Sequence, residues 1–289
     1  MIESFNHKSY DIFIPDGAPI EDALNRTSHL AIGAHSDDLE IMAYHGIVNC
    51  YGHGEQLNKN WFTGVTATDG RGSSRAGLYS ECSDEEMAKI RKEEQNQAAV
   101  VGRYSAMLQL GYSSDEILNK KGSIKLKEDL LSILKETNPI IVYTHNPADK
   151  HDTHIGVLYA AICAMRELPI GDRPERILGC EVWRDLDWMP DQDKVALDVS
   201  QRENLANALV GVFDSQITGG KRYDRAAVGR RYANATFFYA EGKDKAEQLT
   251  FAMDLTPVVN DESIDFIEYV MNYLDKFRED VHNNLSQYF

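Results

Sequence analysis

Two short stretches concentrate the side chains that can hold a metal ion or move a proton. The first reads Ala34-His35-Ser36-Asp37-Asp38-Leu39-Glu40, one histidine and three acids close together. The second reads His145-Asn146-Pro147-Ala148-Asp149-Lys150-His151-Asp152-Thr153-His154, three of the nine histidines beside two acids. Neutral imidazole and carboxylate suit Zn²⁺, and three protein ligands with one open position mark a catalytic site. Two histidines and one carboxylate also serve Fe²⁺, so the residue types leave the metal open. Each stretch has a plainer reading as the start of a helix. Ser36 or Asp37 would cap the first and Asp152 the second, with the acids complementing the helix dipole. Capping accounts for the acids but not for His35, nor for His151 and His154 side by side.

Joined, the two stretches supply what amide hydrolysis needs. A bound metal lowers the pKa of its water towards about 7 and polarises a carbonyl oxygen. The reaction then requires a base, a stabiliser for the oxyanion and a proton for the leaving amine. Asp37, beside Asp38, can take the proton of the water. His151, three residues before His154, can serve as acid or as oxyanion stabiliser. Whether Asp37 or Asp38 is the ligand is open at this level.

Such chemistry needs elements that bring the two stretches together. Residues 29–34 form an apolar run ending at the first stretch, the pattern of a buried strand. Residues 61–66, 105–110, 139–143 and 176–183 read as further strands. Helices are expected from Asp84, capped by Ser83 or Asp84, and over residues 125–136, 155–167, 200–212 and 264–285. Strand alternating with helix argues for an α/β fold with a parallel sheet, in which ligands bind beyond the carboxyl ends of the strands. Both stretches follow a strand, so they share an edge if those strands are neighbours.

Composition narrows the function. The chain has 289 residues and a net charge of −16, which argues against a nucleic-acid binder. No apolar stretch approaches the ~20 residues of a membrane helix, and residues 1–17 lack a secretory signal pattern. Cys50, Cys82, Cys163 and Cys180 form no paired motif, so a reducing, cytoplasmic location is expected. The loop from Asp69 to Arg75 is not a phosphate loop, and the first strand is not followed by GxGxxG. Trp183, Trp188, Lys221 and Arg222 are candidates for contact with a sugar or an anionic group, with packing and solvated turns as the simpler readings.

The motifs resemble the LmbE/PIG-L de-N-acetylases. The resemblance rests on residues 34–40, on Arg91-Lys92-Glu93-Glu94, on Thr144-His145-Asn146-Pro147 and on His151-Asp152-Thr153-His154, and runs from about Leu30 to Gln216. It implies a Rossmann-like, mostly parallel sheet flanked by helices. It implies removal of an N-acetyl group from a GlcNAc-type amino sugar by a zinc-dependent deacetylase, with His35, Asp38 and His154 binding Zn²⁺, Asp37 as general base and His151 as acid or oxyanion stabiliser. Arg91 is the candidate for substrate contact. Two positions depart from the family pattern: Ser36 replaces a proline, and His-Asp-Thr-His replaces His-Pro-Asp-His. Asp152, or else Asp149, is therefore expected to orient His151 and raise its pKa. Alternatives are a non-catalytic carbohydrate-binding protein on the same fold and an iron(II) oxygenase, whose all-β jelly roll fits the alternating pattern poorly. A single domain over residues 1–289 is expected, with a core at about 29–240 and a C-terminal helical extension over 241–289. The expected partner is a small amino sugar, with no nucleic acid and no membrane span; homo-oligomerisation is open.

Overall fold

The computed structural model describes residues 4–52 and 59–289. Eight strands form one sheet: β1 (Asp11–Phe13), β2 (His29–Gly33), β3 (Phe62–Thr68), β4 (Ala106–Tyr112), β5 (Ile141–His145), β6 (Arg176–Cys180), β7 (Val195–Asp198) and β8 (Leu249–Asp254). Their order is β1-β4-β3-β2-β5-β6-β8-β7. The five central strands, β4 to β6 in that order, run parallel, while β1, β8 and β7 are antiparallel to their neighbours. The helices are α1 (Ile20–Asn25), α2 (Asp38–Met42), α3 (Tyr44–Cys50), α4 (Asp84–Gly102), α5 (Ser114–Leu118), α6 (Lys120–Thr137), α7 (Asp152–Arg166), α8 (Glu203–Gly211), α9 (Asp214–Ile217), α10 (Tyr223–Phe237), α11 (Thr256–Asn260) and α12 (Phe266–Leu285).

The apolar runs become strands covered on both faces, as parallel strands require. In β2, Leu30 and Ile32 join a core with Leu126 and Leu130 of α6 and Val157 and Leu158 of α7. The intervening Ala31 joins a second core with Tyr44 and Ile47 of α3, Ala98 of α4 and Leu209 of α8. The alternation follows from the period of a strand. Helix α4 opens as expected, with Ser83 and Glu86 forming a reciprocal capping box. A parallel sheet between helix layers is not the jelly roll of the oxygenase alternative.

Two expectations are corrected. The segment 241–289 is not wholly helical, because β8 lies between β6 and β7 with five of its six residues buried. A boundary at residue 240 would cut through the sheet. The helix expected from Ser200 starts at Glu203 instead. Ser200 is held by Asp198, its hydroxyl donating to Oδ1 at 2.6 Å, and Arg202 turns the chain with φ 56°. Strands β2 and β5 are parallel neighbours, Ala31 facing Tyr143. The order reverses between them, so their carboxyl ends flank the crevice where an open α/β sheet binds its ligand.

Candidate active site

The two histidine-acid stretches meet in that crevice. His35 Nδ1 lies 3.1 Å from His154 Nε2. Asp38 Oδ2 lies 3.4 Å from His35 Nδ1 and 3.5 Å from His154 Nε2. Ligand atoms about 2.0–2.2 Å from a zinc ion stand roughly 3.3–3.6 Å apart in a tetrahedron; two of these three separations fall in that range and the third, between the imidazoles, is 3.1 Å. Imidazole nitrogens and a carboxylate oxygen are also donors that Zn²⁺ prefers, and the two groups whose ligand atoms converge here, His35–His151–His154 and Asp38–His145–His154, share His154 and together fit a Zn²⁺ cofactor.

The neighbours fix these groups. Asp38 Oδ2 accepts the backbone N–H of Ala34 at 3.1 Å and of His35 at 2.7 Å. Burial opposes charge on Asp38, but the pull of His154, His145 and His35 prevails and holds its carboxyl well below the usual range. His154 Nδ1 stands 3.3 Å from Asp149 Oδ2, a close pairing without full hydrogen-bond alignment. A carboxylate there favours a proton on Nδ1 and leaves the Nε2 lone pair for a metal. Asp149 is itself anchored, its Oδ2 accepting the N–H of Trp183 at 3.2 Å. His145 ends β5 and stacks on His154 with centroids 3.8 Å apart. It also lies near the cluster, its Nε2 3.5 Å from Asp38 Oδ2. That nitrogen shares the N–H of Ala34, 2.9 Å away, with Asp38 Oδ2, and His145 stands with Asp38 and His154 in a group whose atoms could hold a metal.

Asp37 lines the same cleft but is held by other groups. Its φ of 88° places a non-glycine residue in the left-handed region, a strain of order 1–3 kcal/mol that persists only where surroundings enforce it. Here Gln95 Oε1 accepts its N–H at 3.3 Å and Gln216 Nε2 donates to its Oδ2 at 3.2 Å. Burial, against the pull of Arg91, raises the Asp37 pKa to about 8. Asp37, Asp38, His35 and His151 line a cleft of about 860 Å³, whose far wall includes Trp183, Lys221 and Tyr223. Lys221 Nζ sits 4.2 Å from the centre of the Trp183 ring.

The family model described as PIG-L, GlcNAc-PI de-N-acetylase, matches residues 30–165. The match covers 136 of the 289 residues. Among curated protein sequences none matches the chain. Among solved structures, the 4-carboxy-2-hydroxymuconate hydratase GalB of Pseudomonas putida KT2440 is similar at 16% identity and TM-score 0.61, over 80% of this chain and 97% of that one. The N,N'-diacetylchitobiose deacetylase of Pyrococcus horikoshii is similar at 18% identity and TM-score 0.56, over 78% and 83%. Teicoplanin deacetylase Orf2, in its zinc-inhibited form, is similar at 15% identity and TM-score 0.54, over 79% and 98%. These likenesses are likenesses of fold.

At the PIG-L motif positions the structure corrects three expectations. Asp152 is exposed at the start of α7, and among the described residues it makes no hydrogen bond to the His151 ring. Asp149 meets His151 only through its backbone N–H, at 3.4 Å, and gives its other oxygen to His154. Neither acid orients His151. The ring instead caps α7, its Nδ1 accepting the N–H of Thr153 at 3.3 Å, which places the ring proton on Nε2. The pKa of His151 is lowered, not raised, by burial and by repulsion from His35 and His154. Arg91 does not line the cleft. It is 1% exposed and donates to the Ser36 carbonyl and, at 2.8 Å, to Ser73 Oγ. It therefore ties the first motif to the loop after β3.

Glu40, the last acid of that motif, is a framework residue. It is fully buried and accepts hydrogen bonds from Tyr104 at 2.7 Å and Gln95 at 2.9 Å. Arg231 of α10, also buried, donates to the Glu40 carbonyl at 2.8 Å. Burial lifts the Glu40 pKa from 4.5 to about 7. The native state then binds a proton that the unfolded state has released, so stability falls as pH rises from 4.5 through 7. Glu40→Gln is expected to flatten that fall in thermal melts of the metal-free protein. An unchanged slope would assign the window to other groups.

Proposed function

We propose that this chain is a Zn²⁺-dependent amide hydrolase that removes the N-acetyl group from a GlcNAc-type amino sugar. The observation that carries the reading is the His35–Asp38–His154 cluster, of which His35 and Asp38 line an open cleft, with a separately held acid, Asp37, lining it beside them. The PIG-L-family match supports the substrate class. Zn²⁺ held by His35, Asp38 and His154 would supply an acidified water and a Lewis acid for the amide carbonyl. Asp37 takes a proton from the attacking water as the new C–O bond forms. Its raised pKa suits it to hold that proton and pass it to the amine nitrogen as the C–N bond breaks, leaving acetate and a free amine. His151, neutral with its proton on Nε2, is suited to donate a hydrogen bond to the oxyanion rather than to give up a proton. Trp183 and Tyr223 offer apolar faces for the sugar ring.

The similarity to a hydratase is a reminder that a fold does not fix a reaction. The test is a panel of N-acetylated amino sugars with both free amine and acetate measured, with and without chelator. Equal release of amine and acetate, abolished by chelator and restored by Zn²⁺, is expected. Turnover insensitive to chelator would overturn the metal mechanism. Sugar binding without acetate release, even after zinc loading, would favour the non-catalytic carbohydrate-binding alternative. Among the described residues no helix is long and apolar enough to cross a membrane. All four cysteines are free, which supports a reducing, cytoplasmic working environment.

A further inference from the structure

Helix α12 spans 20 residues, yet none of them is buried. Its first half is docked by one face, where Phe266, Tyr269, Val270 and Tyr273 pack against the core and Tyr269 donates to the Asp254 carbonyl at 2.8 Å. Lys276 pairs with Asp193 at 2.9 Å, and from Phe277 onward every residue is exposed. An apolar stripe flanks the docked face, about a quarter turn round the helix from it. Ile267, Leu274 and Val281 follow one another at a strict spacing of seven, exposed by 69, 37 and 40%, and Tyr288, 83% exposed, lies in the turn that follows the helix. Met271, Phe277 and Leu285 flank them at 44, 41 and 52% exposure. A seven-residue apolar repeat is the seam that one helix presents to another in a coiled coil.

We infer that this seam pairs with the α12 seam of a second copy of the chain, about a twofold axis. A twofold contact requires a surface complementary to itself, which an apolar stripe broken by Arg278, between Met271 and Leu285, still satisfies. The side chains named offer on the order of 600 Å² per copy, so two copies bury about 1,200 Å², the lower end of the range for a stable interface. Charge argues against a lipid surface as the occupant. Outside the seam α12 carries Glu268, Asp275, Glu279 and Asp280 against Lys276, whereas helices that lie on membranes are cationic there.

The test is the mass of the full chain in solution, by sedimentation equilibrium across a concentration series. A reversible dimer is expected. Leu274→Glu with Val281→Glu should weaken it by about 100-fold or more, with circular dichroism and deacetylase turnover unchanged. Val281→Glu alone lies beyond the docked half of the helix, so it tests the seam without threatening the fold. A wild-type chain that is monomeric throughout overturns the inference, and so does a dimer that survives the double substitution. Co-sedimentation of monomeric wild type with phosphatidylcholine–phosphatidylserine vesicles would assign the seam to lipid and overturn it too.

Discussion

Asp37→Asn is expected to lower turnover by about 10²–10⁴, the usual cost of losing a general base, while metal content stays at the wild-type level. The two adjacent acids are separated by their surroundings. Asp38 is surrounded by three imidazoles and two backbone N–H groups, all of which favour its ionised form. Asp37 is buried, with a pKa raised to about 8, and a single side-chain amide, that of Gln216, donates to its Oδ2. Asparagine keeps the size of the side chain and its acceptor oxygen, so the left-handed turn and the Gln216 contact can persist. Only the capacity to take and return a proton is lost. Kinetics on a responsive N-acetyl sugar, paired with metal analysis of the same preparation, checks both halves. If Asp37→Asn lost the metal while Asp38→Asn kept it, the two roles would have to be exchanged.

The site was legible in the sequence where chemistry is local and illegible where it depends on packing. Ligand candidates could be named because each follows a buried strand and because His35 and the His151/His154 pair have no simpler explanation. The adjacency of β2 and β5, a condition left open by the sequence, is supplied by the sheet order. The orienting acid was misassigned because nearness along the chain suggested a partner for His151. The turn from Asn146 to His151 instead swings Asp149 under His154, and Asp152 is spent on the exposed start of α7. Arg91 was read as reaching for substrate from the start of its helix, against an equally simple reading as a solvated or ion-paired side chain. Only the packed structure shows it sealed against the Ser36 carbonyl, with Arg231 holding the far end of the same motif from α10. The resemblance reached as far as Gln216, but nothing in the sequence set that residue, 179 positions from Asp37, against its carboxylate. Strand β8 was missed because Leu249–Asp254 is short and follows a polar, glycine-containing stretch that looks like the end of a core.

His35→Ala, Asp38→Ala and His154→Ala are each expected to abolish stoichiometric metal binding, and Asp149→Asn to weaken it by about 10–100-fold while leaving it measurable. The first three remove an atom from the convergent set. The fourth leaves the set intact but removes the charge that favours the Nδ1 proton of His154, and with it the commitment of Nε2 to the metal. Because metal bound to the folded chain adds to its stability, the same series should appear in melting curves. At a metal concentration 100 times the dissociation constant the gain is about 2.7 kcal/mol. The wild type should therefore melt higher with Zn²⁺ than without, Asp149→Asn should show a smaller shift at equal metal, and the three ligand variants none. Asp152→Asn is the decisive comparison, since its carboxylate is exposed and the structure gives it no contact with either imidazole. If Asp152→Asn weakens the metal and Asp149→Asn does not, the acid behind His154 has been misidentified, and the departure from the family's His-Pro-Asp-His pattern would be compensated by the neighbouring residue instead.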